Sequence, residues 1–481
     1  MSGPLWTAFE AAAATGGLLT ARGEAPSWQA DRLPEEEWTA SGLSIDTRTL
    51  RPGEIFVAVR DARDGHDFVQ QAFRAGASAA LVSRAPQDAP EGAPLLVVPD
   101  TMSGLHGLAA AARDRCFGRL IGVTGSAGKT SVKEMLRSAL SACGEVHAAA
   151  ASFNNHLGVP LTLAALPSDA DYGVFEIGMN HAGEITPLTR LVRPHVAIIT
   201  TVEAAHLEFF SSVDEIAEAK AEILLGIRRG GTAVLPADNR YYPLLRRRAE
   251  EAGVARIVSF GSGEGADVRL MGYEPGAEGA RVEASIGGET LRFRLAAPGR
   301  HQAVNAMAVL AAARAAGADL GAALAGLETF RPGSGRGARH EVRLGGKSVT
   351  LLDESYNANP ASMRAAIRTL GDAVPRGEGR RIAILGDMRE LGQGSRQLHA
   401  ELAEPLEGAG IARIHTAGAD MAALRDVLPS AMRGLHADAA ASLADDLITD
   451  LHDGDVLLFK GSNASRVGAL IEALLARAEA R

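Results

Sequence analysis

An apolar strand that runs straight into a glycine-rich loop and then a helix constrains this chain more than any other stretch: IGVTGSAGKTSVKEML, residues 121–136. The amides of such a loop, with a helix N-terminus behind them, form a cradle for phosphate oxygens. A cradle of this kind sits at the carboxyl end of a parallel sheet, where open α/β folds bind their ligands. Lys129 would neutralise the terminal phosphates, and Thr130 or Ser131 would offer a hydroxyl to magnesium. The general phosphate-loop spacing is not met, because Val123 stands five positions before Gly128 and the glycines come from Gly122 and Gly125. The candidate nucleotide contacts are Thr124, Gly125, Ser126, Ala127, Gly128, Lys129, Thr130 and Ser131.

The rest of the chain supports an α/β reading. At roughly 150 residues per domain, 481 residues suggest about three units. The pattern divides them at 1–116, 117–330 and 331–481. In the first, 45–59 is a turn followed by a strand, 66–82 a helix and a strand, 95–99 a strand and 103–115 a helix. In the second, apolar strands at 119–123, 172–177, 195–202, 232–236 and 255–260 alternate with polar loops and helices, which predicts a parallel sheet. A hairpin around Gly287-Gly288 and an Ala-rich helix over 299–317 close that unit. The Gly/Arg-rich linker 331–339 opens the third unit, which is expected to be Rossmann-like. A hairpin around Gly345-Gly346 follows, and then strands ending at Asp353, Gly386-Asp387 and Lys460.

Composition narrows the function. The net charge of −9 argues against a general nucleic-acid or anionic-membrane partner. Cys116 and Cys143 make neither a disulfide framework nor a metal cluster, so a reducing cytoplasm is expected. No secretory signal and no apolar run of membrane-spanning length is read, so no membrane insertion is expected. Aromatic residues are only 4%, so nucleotide binding should rest on backbone amides, metal ions and charge.

Other residues carry two readings each. Glu176 ends a buried-type strand and is either a metal ligand or half of a strand-end salt bridge. His206, in the loop after a strand, is either a surface residue or a ligand. Lys220 lies on the apolar face of a helix opened by the capping box Ser212-x-x-Glu215. It is either a snorkelling lysine or a buried amine able to take up carbon dioxide as a carbamate. Asn305, at a helix start, either reads an adenine edge or caps a neighbouring element. Asp353 precedes an Asn-rich stretch, SYNANP, that serves either ligand or turn chemistry.

Taken together, GVTGSAGKTSVKEM, FNNHLGVPLTL (153–163), EIGMNHAGEI (176–185), AAHLEFF (204–210), SYNANPASM (355–363) and GDMRELG (386–392) resemble the Mur ligases, a family of peptidoglycan-precursor enzymes. The resemblance covers essentially the whole chain. It implies a three-domain architecture with a central P-loop ATPase-like parallel sheet. It implies an ATP-dependent amide ligase joining D-alanyl-D-alanine to a UDP-N-acetylmuramoyl-tripeptide, acting in the cytoplasm and expected to be a monomer. By the same resemblance, Lys129 contacts ATP. Thr130 and Glu176 hold one Mg2+, and a carbamylated Lys220 helps hold a second with His206. Asn305, Arg339 and Asp353 contact the nucleotide, Arg339 being preferred to Arg336 because it lies fourteen residues before Asp353. Ser44, Asp46, Thr47 and Arg48 match a uridine-nucleotide site, and Asn154, Asn155 and Thr162 a loop near the incoming substrate. Asn357 and Lys460 fall to the dipeptide. The loop Lys460-Gly461-Ser462-Asn463 has Asn where the family more often has Arg, which leaves Lys460 to meet the dipeptide carboxylate.

Overall fold

The computed structural model describes residues 3–22, 38–276 and 279–479. Among them three main sheets follow one another along the chain. The first has five strands. Gly42–Ser44, Glu54–Val57, Ala79–Val82 and Pro94–Val97 run parallel, and Leu18–Ala21 pairs antiparallel at one edge.

The second sheet has nine strands. Third from one edge lies β1 (Arg119–Thr124), followed by the loop and α1 (Lys129–Ser141). Next to β1 stand β2 (Tyr172–Glu176) and β3 (Val196–Ile199), both parallel to it. The helix α2 (Val213–Ala221) comes after β3, and α3 (Arg300–Ala315) comes late in the unit, which the helix Leu320–Thr329 ends. The strands are apolar on both faces because helices cover both; Leu120, Ile121 and Val123 are fully buried. The strand Val268–Gly276, which the sequence reading passed over, carries the sheet into an antiparallel ribbon with Gly279–Ile286 and Glu289–Leu295. Its alternation is broken by a register shift between Leu270 and Gly272. The hairpin at Gly287-Gly288 forms as expected, with both glycines at positive φ.

The third sheet has six strands. Ala338–Leu344 pairs antiparallel with β4 (Lys347–Glu354). After β4 comes α4 (Pro360–Asp372), then β5 (Arg381–Gly386) and β6 (Val456–Lys460), with β6 inserted between β4 and β5. Two further parallel strands, Arg413–Ala417 and Arg433–Ala437, were not foreseen. They are short, and Arg413, His415 and His436 interrupt their apolar pattern.

Packing joins these sheets unequally. One continuous apolar cluster takes Trp6, Leu43, Leu81 and Leu105 from the first unit together with Leu163, Phe175 and Ile185 from the second. The two clusters of the third unit draw only on residues 342–478. The first two units are therefore fused through a shared core. The third meets them largely through polar contacts, as expected of a unit able to move.

Candidate active site

A cleft of about 1610 Å³ opens at the carboxyl ends of β1, β2 and β3 and is walled on its far side by the third unit. At its head the loop after β1 is held in place by its own neighbours. The Ser126 hydroxyl donates to the Glu203 carbonyl and accepts from the Glu203 amide, and the Thr200 hydroxyl donates to the Ala127 carbonyl. Gly125 has φ +148°, and a Cβ there would meet Thr200 Oγ1 at 1.9 Å, so only glycine fits. Gly128, at φ +83°, caps α1 and lies against Asn305. Ser126, Ala127, Gly128, Lys129, Thr130, Ser131 and Asn305 all line the cleft. Thr124 does not; it is fully buried beneath the loop.

Lys129 Nζ donates to the Gly125 carbonyl at 2.8 Å, and burial pushes its pKa below the ordinary lysine value. Beside it Thr130 Oγ1 donates to Glu176 Oε2 at 2.6 Å, and Asn154 Nδ2 donates to Glu176 Oε1 at 2.8 Å. Of the two readings of Glu176 the salt bridge is absent among the described residues: its hydrogen-bond partners are a hydroxyl and an amide, and it is buried. A hydroxyl and a carboxylate converging beside a phosphate loop are the hard oxygen donors that suit Mg2+.

Lys220 is also buried, on α2, and no carboxylate among the described residues stands against it. Burial first, and then the charge of Lys129, push its pKa well below the lysine value. The snorkelling alternative fails because the ammonium does not reach solvent. His206 lines the cleft and hydrogen-bonds through Nδ1 to Glu390 of the third unit.

The far wall differs from expectation at three points. Arg336, not Arg339, reaches the cleft. Its guanidinium donates to Ser152 Oγ at 2.9 Å, stacks 3.7 Å from the Tyr356 ring, and connects through Ser152 to Thr130. Arg339 lies on the strand beyond the turn, pairs with Glu341, and lines a separate cavity of about 650 Å³. Asp353 does not line the cleft either. Its carboxylate accepts from the Gly335 amide, the Ser334 hydroxyl and the Ser355 hydroxyl, so it shapes the turn that carries Arg336. Lys460 lines the cleft, but its ammonium donates to the carbonyls of Asn357 and Glu354, at 2.9 and 3.3 Å. Asn357 lines it too, and Asn359 Nδ2 donates across it to the Ser126 carbonyl.

Of the loop at 153–163, only Asn154 faces the cleft. Asn155 Oδ1 caps the turn by accepting from the Leu157 and Gly158 amides, and buried Thr162 donates to the Gly158 carbonyl. Ser44, Asp46, Thr47 and Arg48 form a separate cluster in the first unit. There the Arg48 guanidinium holds the Asp46 carboxyl down at about 2. Ser152, Tyr356 and Glu390 were missed as site residues. Each lies within or beside a quoted motif, but its partner is far away along the chain.

Comparisons agree with this geometry. The Mur ligase middle domain matches residues 123–313, and the Mur ligase glutamate ligase domain matches 338–463. The chain is 36% identical over 439 residues to the UDP-N-acetylmuramoyl-tripeptide--D-alanyl-D-alanine ligase of Escherichia coli, covering 91% of this chain and 94% of that one. It is 33% identical to the enzyme of the same name from Bacillus subtilis, covering 92% and 94%. Among solved structures, MurF from Acinetobacter baumannii superposes with a TM-score of 0.83 at 31% identity, covering 99% of both chains. MurF ligase from Thermotoga maritima in complex with ADP superposes with a TM-score of 0.76 at 28% identity, covering 91% and 97%. With its parallel-sheet cleft and its phosphate loop, the chain belongs to the Mur ligase family.

Proposed function

We propose that this chain is an ATP-dependent ligase that adds D-alanyl-D-alanine to UDP-N-acetylmuramoyl-tripeptide in peptidoglycan precursor synthesis. The observation that carries it is one cleft in which Lys129 and Thr130 behind the ATP loop and Glu176 at the end of β2 face Arg336, Asn357 and Lys460 of the third unit. Residues 1–116 hold the UDP-sugar, with Ser44, Asp46, Thr47 and Arg48 at the uridine nucleotide. Residues 117–330 hold ATP, and 331–481 bring the dipeptide. No helix among the described residues is long and apolar enough to cross a membrane, and a cytoplasmic enzyme fits its soluble nucleotide substrates.

In the first step the tripeptide's terminal carboxylate attacks the γ-phosphorus of ATP, giving an acyl phosphate and ADP. Two anions must meet, so the Lys129 ammonium and the α1 N-terminus hold and neutralise the transferring phosphoryl group. The dipeptide amine then attacks the acyl carbon, the C–O bond breaks, and phosphate leaves. Thr130 and Glu176 would hold one Mg2+, and His206 with carbamylated Lys220 a second; these ions would supply charge neutralisation for the phosphates. Arg336 takes the nucleotide role first given to Arg339. The polar seam between the third unit and the rest lets the cleft close and exclude water from the acyl phosphate.

Arg336→Ala is expected to raise the KM for ATP about tenfold, the loss of one charge-assisted contact of about 1.4 kcal/mol. Arg339→Ala is expected to stay within about twofold of the parent, as a surface substitution. Steady-state kinetics with ATP as the varied substrate checks both, and the reverse ranking would restore Arg339. The function itself is tested by following ADP and phosphate release with UDP-tripeptide and either D-alanyl-D-alanine or single amino acids. Product formed only with a single amino acid would replace the dipeptide reading with another ligase of this fold. ADP formation indifferent to both acceptors would favour a nucleotide-binding switch.

A further inference from the structure

We propose that Glu390 is a positioning residue that fixes His206 across the seam between the second and third units, so that seating the third unit readies the second cation position. The proposal rests on the metal role given to His206 above. Glu390 Oε2 accepts from His206 Nδ1 at 2.5 Å, although the two residues lie 184 positions apart. The contact is reinforced by the backbone, because the Glu208 amide donates to the Glu390 carbonyl at 3.1 Å. His206 and Glu390 are also two of the four non-glycine residues at positive φ among the described residues, at +58° and +61°. Such conformations cost energy and persist where the surroundings over-determine them. Here each is held by the loop it touches, and Gly392, at φ +64°, turns the third unit's loop beside the Leu207 carbonyl.

The loop bearing Glu390 is rigidly part of the third unit. The Asp387 carbonyl accepts from the Ser462 amide, the Asp387 carboxylate from the Met421 amide, and fully buried His399 accepts from the Met388 amide. Glu390 therefore reports where that unit sits. A carboxylate on Nδ1 fixes the imidazole tautomer and leaves the Nε2 lone pair free, which is how ligating histidines are commonly oriented. Lys129 and Thr130 line the same cleft as His206, so the oriented ring faces the ATP loop. When the third unit withdraws, Glu390 leaves with it and His206 loses its orientation.

The test uses Mn2+ as the probe ion, titrated by electron paramagnetic resonance against the full-length protein with ADP present. Glu390→Ala is expected to weaken the weaker Mn2+ site about tenfold, the low end for loss of a partner behind a metal ligand. Glu390→Gln, which keeps an acceptor oxygen, should stay within about threefold of the parent on the same scale. Nitrogen-15 spectra of His206 should show Nδ1–H in the parent and a mixture of tautomers in Glu390→Ala. If His206→Ala weakens Mn2+ binding while Glu390→Ala leaves it and the tautomer unchanged, the positioning role is wrong and the metal reading stands. If neither substitution weakens it, both fall.

Discussion

Lys129→Ala is expected to slow ADP formation at least about a thousandfold, equivalent to about 4 kcal/mol of transition-state stabilisation. The side chain starts the helix behind the phosphate loop, and its half-buried ammonium is held 2.8 Å from the Gly125 carbonyl. That placement fixes a positive charge where charge shifts during phosphoryl transfer. A preorganised group in a site shielded from water counts for more there than in bulk solvent. Loss of fold does not confuse the result. Burial lowers the Lys129 pKa, so keeping it protonated costs the folded state stability at neutral pH. That cost fades only as the pH rises through the folded value toward the ordinary lysine value of 10.5. Lys129→Ala should therefore leave the thermal midpoint unchanged or slightly raised. A folded variant within tenfold of the parent rate would show that the phosphates are neutralised elsewhere.

What could be read from the sequence followed from how local each signal is. The strand, glycine loop and helix at 119–141 were legible because an apolar run, loop glycines and an amphipathic helix are all contiguous. Gly345-Gly346 and Gly287-Gly288 announced their hairpins for the same reason. Arg336 was passed over because counting back from Asp353 ignores the hairpin register. Ala338 pairs with Asp353 and Arg339 with Leu352, so Arg339 is already in the ladder, while Arg336 sits in the turn that Asp353 ties down. Thr162 looked like a substrate contact, but a threonine inside a short buried helix satisfies its hydroxyl on the Gly158 carbonyl. Lys460 kept its place in the cleft, yet its ammonium is shared between two backbone carbonyls. That geometry appears only once β4 and β6 are paired. The link from His206 to Glu390 joins two loops in different units, and no periodicity could foretell it.

Lys220→Ala is expected to abolish ligation, with a loss of at least about a hundredfold, the scale of removing one preorganised charged group from a site. Millimolar acetate or formate should restore part of the activity. A lysine cation has no evident purpose where Lys220 lies: it is buried, Lys129 is the charge acting on it, and no carboxylate among the described residues opposes it. Burial and that like charge favour the neutral amine, and a neutral amine is the form that reacts with carbon dioxide. The amine nitrogen bonds to the carbon and one proton leaves, giving a carbamate anion. The modification would turn a neutral amine into an anion that attracts Lys129 and could offer oxygen ligands to Mg2+. A short carboxylate diffusing into the space left by Lys220→Ala would restore the oxygen charge without the covalent link. Lys220→Arg cannot be carbamylated and should stay inactive with or without acetate, since the guanidinium fills the space. Mass spectrometry of the intact protein in bicarbonate should find about 44 Da added at Lys220, the mass of one carbon dioxide, lost on acidification. Full activity in Lys220→Ala would remove the carbamate from the reaction. An inactive Lys220→Ala that no carboxylate restores would leave the amine itself as the required group.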